Sequence, residues 1–304
     1  MAPTRYNERA VIEGALHAQL LPRLAERLMS DRRQRLSWSG SWGNGTSLPN
    51  KEEPSIRALS RSTLTGERTR RSNDMKSGQA PLLAQEDVAH MVETILYEPF
   101  EAACALLDGH LAKGQSTADL ILLLMSPAAE TFGLRWQDDD LSFSEVTVAM
   151  AVLHSLLHRY ASGLANETTP SVDGARLMLA PYPGENHVFG VSIVQEFFRA
   201  DGWDVTIAMA ESGAALARKV REAHFDVIGL SLAHESQLAA LRQLIVSIRA
   251  SSLNKQVRLL VGGPLVRSAP DSVQSLPVEG IALDARAGLA LARELLISDD
   301  ETEV

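Results

Sequence analysis

The sequence predicts an α/β protein: a helical bundle cap followed by a flavodoxin-like five-stranded parallel sheet. Three observations carry that expectation. Residues 86–160 repeat apolar side chains at helical spacing. Residues 161–174 (ASGLANETTPSVDG) are polar and carry Gly and Pro, which marks a domain boundary. Beyond it, short apolar runs alternate with helical stretches, the pattern of a sheet with crossover helices.

The elements follow in order. In an N-terminal unit, residues 1–30, a helix is expected over 8–30, where Val11, Ile12, Leu16, Leu20, Leu24 and Leu28 recur at spacings near four. Pro22 kinks or splits it. Such a helix packs on the body or docks a partner. Residues 31–84 are rich in Ser, Thr, Gly and Arg and read as a flexible basic linker. Trp38 and Trp42 stand out there, as cover for the body or a ligand or as partner anchors. The helical cap domain spans 85–165. Its first helix carries a stripe from Val88 through Leu96 and Ala103 to Leu111 and ends at Gly114. Ser116 and Asp119 open the next, which Pro127 interrupts. Ser142 and Glu145 form a capping box ahead of VTVAMAVLHSLLHRY.

Residues 172–300 read as a Rossmann-like domain with strands at 176–181, 204–209, 226–232, 257–263 and 280–284. Helices are expected at 189–200, 212–223, 236–251, about 269–275 and 286–297. The chain ends in the acidic run SDDETEV.

Composition excludes several classes of function. With 304 residues, 45% of them hydrophobic, the chain can bury real cores. One cysteine, Cys104, excludes a disulfide scaffold, a thiolate zinc site and a cysteine-held iron–sulfur cluster. No run of 18 apolar residues and no secretory signal are found, so a cytoplasmic protein without membrane contact is expected. Residues 1–79 carry a net charge of +6 and residues 80–304 a net −15. The acidic body argues against non-specific nucleic-acid binding, and the basic arm leaves DNA only a secondary place. No phosphate loop, no C-x-x-C and no nucleophile–base arrangement occurs, so a non-enzyme is expected.

In an open parallel sheet, ligands bind outside the C-terminal strand ends. The loop after the first strand reads P-Y-P-G-E-N-H-V-F-G, residues 181–190. A neutral imidazole at His187 is a good transition-metal ligand, and Glu185 is near enough to hold its other ring nitrogen. Gly190 lets a bulky ligand approach the helix start. Ser231 ends the third strand, and Gly262 and Gly263 end the fourth, which leaves a slot at the sheet edge. His154 and His158 stand at i and i+4, but Ser155 occupies the position of a metalloprotease glutamate, so they read as helix-surface or core-edge residues. His224 and His234 have no supporting context.

These residues resemble a cobalamin-binding domain of the methionine-synthase type, whose pattern is D-x-H-x-x-G, then S-x-L, then G-G. Here Glu185, His187 and Gly190 fill the first motif, Ser231-Leu232-Ala233 the second and Gly262-Gly263 the third. Glu replaces Asp, and Ala233 stands where the family has Leu. The stretch Gly133-Leu134-Arg135-Trp136-Gln137-Asp138, with Phe143 to Val146 and Thr147, resembles the helical cap of photoreceptor-type corrinoid proteins. The early IEGALHAQLLPRL and the form GENHVFG resemble the AerR/PpaA group of light-responsive antirepressors.

The resemblance implies a bound cobalamin with His187 as the lower axial ligand of cobalt. Its displaced tail would lie in the slot lined by Ser231, Gly262 and Gly263. Trp136 would cover the upper face. Val146 and Thr147 stand where adenosyl-binding relatives carry Glu-His, so any histidine replacing a lost upper ligand comes from elsewhere, with His154, His158 and His17 as candidates. The implied upper ligand is adenosyl, methyl or hydroxo, and the implied partner is a CrtJ/PpsR-like repressor of photosynthesis genes. Two other readings stay open: a corrinoid carrier for a methyltransferase, and a haem-binding sensor of the same fold.

Overall fold

A computed structural model describes residues 83–171 and 174–300, with side chains to Ile297. The helix expected over 8–30, with His17, lies outside the described residues, as do Trp38, Trp42 and nearly all of the linker.

The bundle begins with α1 (Gln85–Tyr97) and α2 (Phe100–Ala112). The sequence pattern suggested one helix here, because the apolar stripe runs through. Pro99 splits it: proline has no N–H and forces Glu98 into an extended conformation (φ −107°, ψ 162°). Pro127 has the opposite outcome. The run from α3 (Thr117–Leu120) through a π-helical turn (Ile121–Met125) to α4 (Ser126–Gln137) is continuous. The wide turn lies directly before the proline and absorbs its missing donor without a break. By length and composition Thr117–Gln137 could cross a membrane. Its apolar residues have another use, since Leu120, Ile121, Leu124, Met125, Ala128 and Phe132 are buried in the bundle core. The long helix α5 (Phe143–Glu167) starts at Ser142, whose hydroxyl accepts from the Glu145 N–H while Glu145 accepts from the Ser142 N–H.

The sheet contains β1 (Arg176–Pro181), β2 (Asp204–Ile207), β3 (Val227–Ser231), β4 (Arg258–Gly262) and β5 (Gly280–Ile281). All pairings are parallel, in the order 2-1-3-4-5. That is the flavodoxin-like order, with its switch point between β1 and β3. Side chains alternate between two cores. Leu177, Leu179 and Val227 face α6 (Phe189–Ala200) and α11 (Ala285–Asp300). Met178, Ala180, Ile228 and Leu230 face α7 (Gly213–Val220) and α8 (Leu238–Ser251). The helix expected at about 269–275 is the short α10 (Pro270–Val273), and a further short helix that was not expected, α9 (Pro264–Ser268), precedes it; each is started by a proline.

The two parts share a core. Phe189, Ile193 and Phe197 of α6 and Ala285 of α11 are buried with the bundle residues. Two ion pairs cross the same boundary: Arg267 of α9 with Glu130 of α4, and Arg286 of α11 with Asp119 of α3, the latter at 2.9 Å. At the junction, Asp201 is fully buried and accepts from Arg293, from Ser171 and from the Trp203 indole. Burial pushes the Asp201 carboxyl up, but the hydrogen bonds from Arg293 and Ser171 outweigh it and hold it below its ordinary 3.8.

Candidate functional site

The site lies at the C-terminal end of the sheet, where the loops leaving β1 and β3 meet. These strands are neighbours in register, with Pro181 opposite Ser231. The Tyr182 N–H donates to the Ser231 carbonyl at 2.9 Å, which ties the two exits together.

The β1 loop turns at once. Pro183 and Gly184 occupy the two central positions of a β-turn, closed by the Glu185 N–H donating to the Tyr182 carbonyl at 2.9 Å. Gly184 has φ +89°, the conformation that the third turn residue needs and that glycine supplies cheaply. The turn delivers Glu185 to the cleft. Phe189, buried at the start of α6, fixes the other end of the loop.

Glu185 is the centre of the arrangement. Its Oε2 lies 2.6 Å from Nδ1 of His187. Its Oε1 accepts from Gln237 Nε2 at 2.8 Å. Gln237 is buried, and its own oxygen accepts from the N–H groups of Ala233 and His234 at 2.9 and 3.2 Å. A backbone-anchored amide thus orients a carboxylate, and the carboxylate orients an imidazole. With Nδ1 engaged, Nε2 of His187 is left as the donor nitrogen, on a ring 69% exposed. Here the donor set fits an axial ligand for a metal held outside the protein surface.

The remaining expected residues fall into place unevenly. At Gly190, no atom beyond its own stretch of helix lies within 4 Å of where a Cβ would be, so the helix start beside His187 is open to a large ligand. Gly262 and Gly263 are tight. A Cβ at Gly262 would lie 3.2 Å from the Ala282 carbonyl, and one at Gly263 only 2.5 Å from that of Leu232. Gly263 also has φ +102°. Gly262 is therefore needed where β4 meets the residue after β5, and Gly263 where β4 meets the end of β3, apart from any slot they line. Ser231 is half-buried beside them, its Oγ 2.7 Å from that same Gly263 position.

Trp136, Val146 and Thr147 lie on the cap. Trp136 is 48% exposed, so it is not a core residue. Val146 packs on the bundle core, and Thr147 donates to the Phe143 carbonyl. His154 is half-buried and sits edge-on to Phe189, with ring centroids 5.0 Å apart. His158 is exposed one turn along.

Sequence reasoning missed two residues, Gln237 and His234. His234 Nε2 stands 3.8 Å from Glu185 Oε1, and its ring lies 6.1 Å from that of His187. Both residues follow β3, far from Glu185 in sequence. The signal that could have found them is topological: in the 2-1-3-4-5 order, polar residues just past Ser231 arrive beside the β1 loop.

Comparisons with known proteins agree with this geometry. Residues 175–286 match the B12 binding domain family. The chain is 28% identical, over 147 residues, to an uncharacterized 20.5 kDa protein in the bchF-crtJ intergenic region of Rhodobacter capsulatus. That match covers 48% of this chain and 76% of the relative. Among solved structures, the monomethylamine corrinoid protein of Methanosarcina barkeri superposes with a TM-score of 0.54 at 14% identity, covering 69% of this chain and 99% of that one. A cobalamin-binding protein from Desulfitobacterium hafniense DCB-2 also matches, at TM-score 0.37 and 18% identity, over 69% and 98% of the two chains. Residues 175–286 are therefore similar to B12-binding domains, in a chain whose sequence is consistent with the AerR/PpaA type of cobalamin-binding protein.

Proposed function

We propose that this chain is a cobalamin-dependent photoreceptor that acts as an antirepressor, binding a CrtJ/PpsR-like repressor in a light-dependent way. The observation that carries the reading is the Gln237–Glu185–His187 chain at the sheet edge of a B12-binding domain. The position of the relative's gene in a bchF-crtJ region supports the regulatory half.

His187 would hold the cobalt of a bound cobalamin through Nε2. Glu185 fixes the tautomer and raises the basicity of the ring. Ser231, Gly262 and Gly263 line the path of the nucleotide tail, and Gly190 leaves room for the corrin edge. Trp136, on the cap with Val146 and Thr147, would shield the bound cofactor from water. When bound, the cofactor supplies an upper bond to cobalt, to adenosyl, methyl or hydroxide, that light can break. The cap and sheet already share a core and two ion pairs, so a change in what the cap touches becomes a change in the surface a repressor reads. Its driving force is the difference in contacts between the two ligand states.

The test is the absorption spectrum of the full chain mixed with adenosyl-, methyl- and hydroxocobalamin, in darkness and after illumination. A repressor-binding assay follows under both conditions. The reading expects a bound-state spectrum that changes on illumination and a repressor affinity that changes with it. A light-insensitive complex that passes methyl groups to a partner enzyme would replace the sensor with a carrier. Haem uptake in place of cobalamin would overturn the reading.

A further inference from the structure

The lower-ligand reading uses one histidine of this cleft, yet the structure brings two to the same carboxylate. One ligand atom from each of Glu185, His187 and His234 lies within 4.8 Å of the others. Among the described residues no other group of three His, Cys, Asp or Glu does so.

The chemistry of this set is specific. Two imidazole nitrogens and one carboxylate oxygen suit zinc, nickel, cobalt and copper ions, while magnesium and calcium take oxygen donors. The geometry is nearly assembled. Around a tetrahedral ion with bonds of about 2.0–2.1 Å, ligand atoms stand roughly 3.3 Å apart. Glu185 Oε2 is already 2.6 Å from His187 Nδ1, and its Oε1 is 3.8 Å from His234 Nε2, so the carboxylate reaches both rings. The widest spacing in the group, at most 4.8 Å, must close by no more than about 1.5 Å. The imidazoles, 69% and 58% exposed, can turn without disturbing the core. Glu185 is held by buried Gln237, so the fixed member of the set is the one in the middle.

We propose that, when no corrin is bound, Glu185, His187 and His234 hold one hydrated divalent transition-metal ion of the zinc class. The ion and cobalamin exclude each other, and that exclusion, unlike the cation binding itself, rests on the cobalamin reading. His187 turns Nδ1 towards Glu185, so Nδ1 is the nitrogen an ion between them engages. The ion then takes the carboxylate that supports Nε2 and fixes the ring in a new orientation.

The test uses the metal-free full chain, titrated with Zn²⁺ by calorimetry and with Co²⁺ by visible absorption. One ion per chain is expected above the background of a His187→Ala/His234→Ala double variant. His234→Ala alone weakens binding by about tenfold or more, the scale of a lost metal-site group, with an unchanged circular dichroism spectrum. Zinc loaded first slows hydroxocobalamin uptake, and a chelator restores it. Equal zinc binding by wild type and double variant overturns the proposal, as does cobalamin uptake indifferent to zinc. A chain that takes cobalamin but no zinc sinks the cation site and leaves the cofactor reading standing. Zinc uptake without cobalamin uptake supports the cation site and sinks the other reading.

Discussion

Gln237 donates to one oxygen of Glu185 at 2.8 Å while the other oxygen sits 2.6 Å from His187 Nδ1. The carboxylate is therefore positioned from the β3 side of the cleft and used on the β1 side. Gln237→Ala frees Glu185 to rotate and strands the Ala233 and His234 amides. Cobalamin affinity in metal-free buffer is expected to fall about 10- to 100-fold, as it does for supporting groups at metal sites. His187→Ala removes the ligand itself, and the spectral shift on binding should vanish. Wild-type spectra in that variant would take His187 out of the site.

Gly190 and Gly263 separate ligand space from protein space. Gly263→Ala meets the Leu232 backbone and a left-handed φ, and is expected to lower stability by about 1–3 kcal/mol, read as Tm. Gly190→Ala meets no atom beyond its own stretch of helix, so stability should hold or rise by up to about 1 kcal/mol, as alanine is the better helix former. If the corrin edge rests there, cobalamin uptake weakens all the same.

Asp201 gives the chain an acid-sensitive joint. Its folded-state carboxyl lies below the ordinary 3.8, so its contribution is fully present above that value and lost as pH falls through the depressed one. Urea unfolding followed from pH 6 to pH 2, arbitrary endpoints about two units either side of the carboxylate range, should show the loss concentrated at the acid end. Asp201→Ala leaves Arg293 without its partner and should cost about 3 kcal/mol at neutral pH while flattening the acid limb.

Trp136 lies half in solvent, so Trp136→Ala should lower stability by about 1–2 kcal/mol, less than the roughly 3–5 kcal/mol of a core aromatic. Its expected effect is on the bound cofactor: faster exchange of the upper ligand with added cyanide, followed by absorbance. Unchanged exchange would remove Trp136 from the upper face.

Much of the sheet is legible in the sequence. Runs such as RLMLAP and RLLVG are buried on both faces, and such strands read as continuous apolar text. The Glu185–His187 pairing was also readable, because two residues on one tight loop must be neighbours. Pro99 was readable and overlooked, since an apolar stripe can continue across a break when both helices pack on one core. His234 and Gln237 were not readable. Their meaning depends on which strand lies beside which, and a single sequence does not align positions some fifty residues apart.

The span between bundle and sheet domain is tied down on both banks. Glu167, the last residue of α5, accepts from the Thr117 N–H at 2.6 Å, and Ser171 is bound to Asp201. Only Thr168, Thr169 and Pro170 lie between these moorings. The direct backbone connection thus runs free for only three residues, so a longer tether there would loosen the coupling of cap to sheet without changing a residue of the cleft.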